Sequence, residues 1–163
     1  MAENKSQQKT ENQSLVKASI KKKIPHILLA EDNPDMRKLL AMSLRKNGYE
    51  VIEFADGLSM LEHYFAVASV QREAAYDLVI SDIRMPGITG IEILEEMHNH
   101  KGFPPVILIT AFGDEETHEQ ADILGAVAMF DKPFNIDVLI AKVQEIAPSC
   151  QLLAGLSFPD QKS

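Results

Sequence analysis

Five side chains in this sequence have types and places suited to chemistry. Glu31 and Asp32 follow the apolar run 24-IPHILLA-30, and Asp82 closes 77-DLVISD-82. Thr110 closes 105-PVILIT-110, and Lys132 stands just past 126-AVAMF-130. If carboxylates such as Asp32 and Asp82 approach to ~4 Å, they repel by roughly 4 kcal/mol at an effective dielectric near 20. A raised pKa, a cation or both must then offset the repulsion. An all-oxygen donor set with room for water suits Mg²⁺. Lys132 would be a point charge for phosphate and Thr110 a neutral donor to it. A carboxylate beside such an ion, with an ammonium opposite, is built to become an aspartyl phosphate. Singly, each residue has a plainer use: Asp32 as an Asx turn into Asn33-Pro34, Glu31 as a solvated acid, Thr110 as a strand end, Lys132 as a surface lysine. The combination carries the argument.

The elements that must position them can be read from the apolar pattern. Residues 24–30, 50-EVIEF-54, 77–82, 105–110 and 126–130 are short apolar runs, too brief for helices, and read as strands 1 to 5. Asn33 before Pro34 marks a helix start, with Met36, Leu39, Leu40 and Leu44 at helical spacing and Asn47-Gly48 as its stop. Residues 57–73 look helical, and Asp56 looks like turn and cap chemistry. The loop 84-RMPGITG-90 is rich in turn residues, and Ile91, Leu94 and Met97 mark a third helix. Asp114 caps helix 4, over 115–124, and helix 5, about 135–147, carries Ile136, Leu139, Ile140, Val143 and Ile146 on one face. Alternating strands and helices, with strands apolar on both faces, predict an α/β doubly wound parallel sheet flanked by five helices. In such sheets the sites lie beyond the carboxyl ends of the strands, where all five side chains fall.

Composition excludes several classes of function. The 163 residues carry a net charge of −8, yet residues 1–23 hold six lysines against two glutamates. That leader is therefore +4 and the rest −12, a poor match to a nucleic-acid backbone. The leader reads as a disordered basic segment, 24–147 as one domain, and 148–163 as a tail or the start of a linker. Leu152, Leu153, Leu156 and Phe158 are the tail's candidates for docking on the domain. There is no secretory signal and no apolar run of membrane length, so a soluble cytoplasmic protein is expected. The single cysteine, Cys150, forms neither an internal disulfide nor a cysteine metal site. The five histidines (26, 63, 98, 100 and 118) show no paired metal spacing. After strand 1 stands EDNPD rather than a glycine-rich dinucleotide turn.

The sequence resembles the receiver domain of two-component response regulators, over about 24–147. The likeness rests on Glu31-Asp32, 82-DIRMPGITG-90, 108-LITAFGD-114 and 131-DKPF-134 in order, with the flavour of nitrogen-regulation and chemotaxis receivers. It implies a flavodoxin-like strand order 2-1-3-4-5. It implies phosphorylation of Asp82 by a sensor histidine kinase, a phosphotransfer protein or a small phosphodonor. Mg²⁺ would be held by Glu31, Asp32, Asp82 and the backbone carbonyl of Arg84. Thr110 and Lys132 would contact the phosphoryl group, and the Lys132–Pro133 peptide would be cis. A face of helix 4, strand 5 and helix 5 would then switch for partner binding or homodimerisation, without direct contact to nucleic acid or insertion into a membrane.

Two features qualify the resemblance. The family's switch aromatic, three residues before the lysine, is Met129 here, a flexible thioether in place of a ring. Phe130 faces the other side of the strand and does not replace it. The positions that tune loss of the phosphoryl group are Arg84 and Phe112, bulky enough to crowd an attacking water. Two other readings compete. A phosphatase of the haloacid dehalogenase type needs an acid two residues after its nucleophile, where this chain has Arg84. A degenerate receiver serving only as a protein-binding module would lack acids, Thr or Lys, all of which are present. Beyond its own phosphorylation and dephosphorylation no enzyme activity is expected.

Overall fold

The computed structural model describes residues 24–70, 75–100 and 102–149. Strands β1 (His26–Ala30), β2 (Glu50–Phe54), β3 (Leu78–Asp82), β4 (Val106–Thr110) and β5 (Ala128–Asp131) alternate with five helices. These are α1 (Pro34–Lys46), α2 (Gly57–Ala68), α3 (Gly90–His98), α4 (Glu115–Ile123) and α5 (Ile136–Ile146). The strands form one parallel sheet in the order β2-β1-β3-β4-β5.

Side-chain alternation along the strands divides the core into two layers. Ile27 and Leu29 of β1, Ile80 of β3 and Ile107 and Ile109 of β4 pack with Leu40 and Leu44 of α1 and Leu139 and Val143 of α5. Leu28, Val79 and Leu108 face the other way, onto Met60, Ile93, Leu94, Met97 and Ala121 of α2 to α4. The three central strands are covered on both faces, which is why they read as unbroken apolar runs. The edges differ from that expectation: β2 buries only Val51, with Glu50, Ile52 and Glu53 exposed, and β5 is only half-buried along Ala128–Phe130.

Local chemistry fixes the helix starts. Asn33 accepts from the N–H groups of Asp35 and Met36, with Pro34 at the first helical position. Asp56 caps α2 and Asp114 caps α4. Thr89 and Glu92 close a reciprocal box at the start of α3. After α1, Gly48 takes φ 87°, a conformation that only glycine adopts freely.

Apart from shifts of a single residue at other ends, four boundaries or burials depart from the sequence reading. α2 ends at Ala68, and 71–73 of the expected 57–73 helix lie outside the described residues. β1 begins at His26 rather than Ile24. β5 is shifted to 128–131, because the Ala126 N–H still bonds back to the Ala121 carbonyl and Val127 to Val106 before the strand ladder begins. Leu39 is 48% exposed, and the buried stripe of α1 runs instead through Leu40, Ala41 and Leu44. The leader 1–23 and the tail from Cys150, with the apolar residues expected to dock, lie outside the described residues.

Candidate functional site

β1 and β3 are neighbours in the sheet, so the residues at their carboxyl ends converge. Glu31 is fully buried and Asp82 nearly so, while Asp32 is exposed. Carboxylate oxygens of the three acids lie within 4.8 Å of one another. Lys132 reaches back from the end of β5 and donates to Glu31 Oε2 and to Asp82 Oδ2, both at 2.8 Å. The remaining oxygens of the two buried acids are also occupied. Glu31 Oε1 accepts from the Asn33 N–H and Asp82 Oδ1 from the Arg84 N–H, each at 3.1 Å.

Burial raises the pKa of Glu31 and the negative charge of Asp82 adds to this, against the opposing hydrogen bond from Lys132. Burial alone would lower the pKa of Lys132. Its hydrogen bonds to Asp82 and Glu31 together outweigh that and hold the ammonium above its ordinary range. One cation thus serves two buried anions. The carboxylate of the third acid, Asp32, has no hydrogen-bond or ion-pair partner among the described residues. A rim of three carboxylates with one solvent-facing member fits a hard divalent cation that keeps part of its water shell. Softer metals are disfavoured by the donor set, which holds no His or Cys.

Thr110 is fully buried at the end of β4. Its hydroxyl accepts from the Phe112 N–H at 3.1 Å, and its carbonyl accepts from the Lys132 N–H at 2.7 Å. The Lys132–Pro133 peptide is cis. Met129 and Phe130 project to opposite layers: Met129 packs towards α2 to α4, Phe130 towards α1 and α5.

A family profile described as "Response regulator receiver domain" matches residues 27–144. The chain belongs to the response regulator receiver family. Among its relatives, the sporulation initiation phosphotransferase F of Bacillus subtilis is 34% identical over 122 residues, which are 75% of this chain and 93% of that protein. The regulatory protein AtoC of Escherichia coli is 36% identical over 121 residues, 74% of this chain, of which the match spans only 25% of AtoC. Among solved structures, the response regulator protein TrrA of Thermotoga maritima, in complex with Mg²⁺–BeF, superposes with a TM-score of 0.64 at 34% identity. The superposition covers 75% of this chain and 98% of that one. Chemotaxis response regulator CheY4 of Vibrio cholerae gives 0.64 at 28% identity, covering 76% and 99%. The receiver reading therefore prevails over the phosphatase and the dinucleotide module, and places the chain in phosphorelay signalling.

The receiver carries supporting residues that sequence reasoning passed over. Arg37 of α1 donates to the Glu31 carbonyl at 2.7 Å and the Asp32 carbonyl at 3.4 Å, and its Nε lies 3.9 Å from Glu53. Its position one turn into α1, after the acidic pair, was the available signal. Arg84 and Phe112 lie together: the guanidinium carbon is 4.5 Å from the ring centroid. His98 and His100 do not share a helix, since α3 ends at His98. His118 pairs with Asp131 rather than with another histidine. Among the described residues no helix is long and apolar enough to cross a membrane.

Proposed function

We propose that Asp82 is the phosphoacceptor of this receiver. The observation that carries the reading is the junction of a buried Asp82 with Lys132, Glu31 and Asp32 at the end of the sheet. In the reaction an Asp82 carboxylate oxygen bonds to phosphorus as the donor's P–N or P–O bond breaks, and that electron pair leaves with the donor. Glu31, Asp32, Asp82 and the Arg84 carbonyl would hold Mg²⁺, which when bound neutralises charge on the acids and on the incoming group. Lys132 stands 2.8 Å from Asp82 Oδ2, where a phosphoryl group on that carboxylate adds negative charge. The Thr110 hydroxyl, accepting from Phe112, keeps its own proton to donate to a phosphoryl oxygen. The Arg84 N–H orients Asp82 through its other oxygen.

The donor is a sensor histidine kinase, a phosphotransfer protein or a small phosphodonor, and the domain turns over no external substrate. Residues 24–147 act as the receiver unit, 1–23 as a leader and 148–163 as a tail or linker. Output runs through the face of α4, β5 and α5, to a protein target or a second copy, in the cytoplasm. The test is incubation with acetyl phosphate and Mg²⁺, read by intact mass. The native chain gains one phosphoryl group, and Asp82→Asn gains none. Equal modification of the variant overturns the assignment. Size-exclusion with and without beryllofluoride then reads dimerisation.

A further inference from the structure

His118 of α4 and Asp131 at the end of β5 make a contact that the site chemistry does not use. His118 Nε2 lies 3.1 Å from both Asp131 carboxylate oxygens, with 39% and 54% of the two side chains exposed. The loop from β4 to α4 passes against this pair. A Cβ on Gly113 would overlap Asp131 Oδ1, approach His118 Nε2 to 2.7 Å and Thr110 Cγ2 to 3.0 Å. With the pair in this arrangement there is no room for a Cβ at residue 113, so the loop backbone lies directly against His118, Asp131 and Thr110.

The same neighbourhood is tied to the site. Asp131 is the register partner of Thr110 in the sheet, and the next residue is Lys132. The Thr110 hydroxyl is held by the Phe112 N–H, next to Gly113, and makes no hydrogen bond to Asp82. For that hydroxyl to meet a phosphoryl oxygen on Asp82, it must leave Phe112 or carry the loop with it. The loop is confined by His118 and Asp131.

We propose that His118 and Asp131 are positioning residues whose contact ties α4 to β5, confines the Gly113 loop and keeps Thr110 in its present arrangement, opposing phosphoryl uptake. This rests on the reading of Asp82 as phosphoacceptor. The contact acts on the balance between two arrangements, and a phosphoryl mimic shifts that balance by its differential affinity. A partly exposed pair contributes modestly, so its loss raises the mimic's affinity about twofold to fivefold.

The experiment titrates beryllofluoride into the Mg²⁺-saturated protein by calorimetry, for the native chain, His118→Ala, Asp131→Ala and the double variant. Mg²⁺ alone is titrated in parallel, and thermal midpoints are recorded. Each single variant is expected to bind beryllofluoride about twofold to fivefold more tightly, with Mg²⁺ affinity unchanged. The double variant is expected to gain no more than either single one. A merely structural contact would give no such tightening. Unchanged or weaker binding in both single variants, additive gains, or an equal gain for Mg²⁺ alone overturns the proposal. Failure of the native chain itself to bind beryllofluoride overturns the Asp82 reading and this proposal with it.

Discussion

Arg84 and Phe112 stack on one another while each is anchored, through its backbone N–H, to a side chain of the site. The guanidinium carbon lies 4.5 Å from the ring centroid, and the N–H groups reach Asp82 Oδ1 and Thr110 Oγ1 at 3.1 Å. Phe112 is 64% exposed, so the cation rather than burial holds the ring. If Asp82 carries the phosphoryl group as proposed, a stack spanning the positions two after Asp82 and Thr110 would obstruct water approaching the acyl phosphate. Such a contact at an exposed site contributes about 0.5–1 kcal/mol. Phe112→Ala and Arg84→Ala are each expected to hasten loss of the phosphoryl group by about twofold to fivefold. Decay of the phosphorylated protein after donor removal measures this, and unchanged decay in both variants refutes it.

Among the described residues Lys132 is the one cation hydrogen-bonded to both buried acids, and its removal has a defined pH signature. Glu31 has a raised folded-state pKa, so its charged form disfavours folding above that pKa and the penalty is relieved as pH falls. Lys132 is one of the groups that limit the shift, and Lys132→Met enlarges it. Breaking a buried pair costs about 3–5 kcal/mol, and the larger part is expected at neutral pH, where Glu31 is more fully charged than in acid. Urea unfolding of native and variant protein at pH 7.5 and near pH 5 checks the sign. The stability gap must narrow towards acid; a gap that is constant or widens contradicts the argument.

Features set by neighbouring residues were legible in the sequence. Asn33-Pro34, Asp56 and Asp114 start helices through bonds that reach two or three residues, so spacing alone reveals them. The residues gathered at the site were legible because a parallel sheet brings its strand ends together. What each side chain touches there was not. Lys132 reads as a contact for phosphate, and only the fold shows it spanning Glu31, 101 residues away, and Asp82. Helical spacing in α1 put Leu39 on the apolar face, and only the packed sheet shows that the smaller Ala41 is the residue buried beside Leu40. Asp131 joined β5 because an edge strand tolerates a polar end that an apolar run does not display. The His118 partner was hidden because a carboxylate at a distant strand end leaves no spacing pattern.

Arg37 fixes the backbone that presents two of the three acids. It donates to the carbonyls of Glu31 and Asp32, and lies beside Glu53, which Arg45 also contacts at 2.8 Å. Arg37→Ala leaves all three carboxylates in place but frees their loop. Hydrogen bonds from a charged donor contribute about 1.5–3 kcal/mol, so Mg²⁺ affinity is expected to fall by about tenfold or more. Calorimetric titration of Mg²⁺ measures this, with a variant that binds as tightly as the native chain as the contrary result.

Gly90 links the start of α3 to the strand that carries Asp82. Its N–H donates to the Ile83 carbonyl at 2.9 Å, and a Cβ there would sit 2.5 Å from the Asp82 carbonyl oxygen and 2.9 Å from Ile83 Cα. Neither backbone atom can yield as a flexible side chain would. Gly90→Ala is expected to lower stability by about 1–3 kcal/mol through overpacking and to weaken Mg²⁺ binding by moving Asp82. Chemical unfolding and Mg²⁺ titration are the two measurements. Normal values in both would show that α3 can shift without disturbing the site.

Met129 occupies the strand position where the family resemblance calls for a switching ring. It is the register partner of Leu108, two residues before the Thr110–Asp131 pair, and packs into the layer towards α2 to α4. A thioether adapts its rotamers to a changing space, whereas a ring must move between discrete positions. Coupling between Thr110 and β5 in this chain should therefore be softer than in aromatic-bearing receivers. Beryllofluoride is expected to shift amide resonances of α4 and β5 less in the native chain than in Met129→Tyr, and Met129→Ala should alter the pattern again by leaving space unfilled. Amide spectra of the three proteins, with and without beryllofluoride, measure the response. Full-sized displacement in the native chain, unchanged in Met129→Ala, would show that the switch does not run through this position.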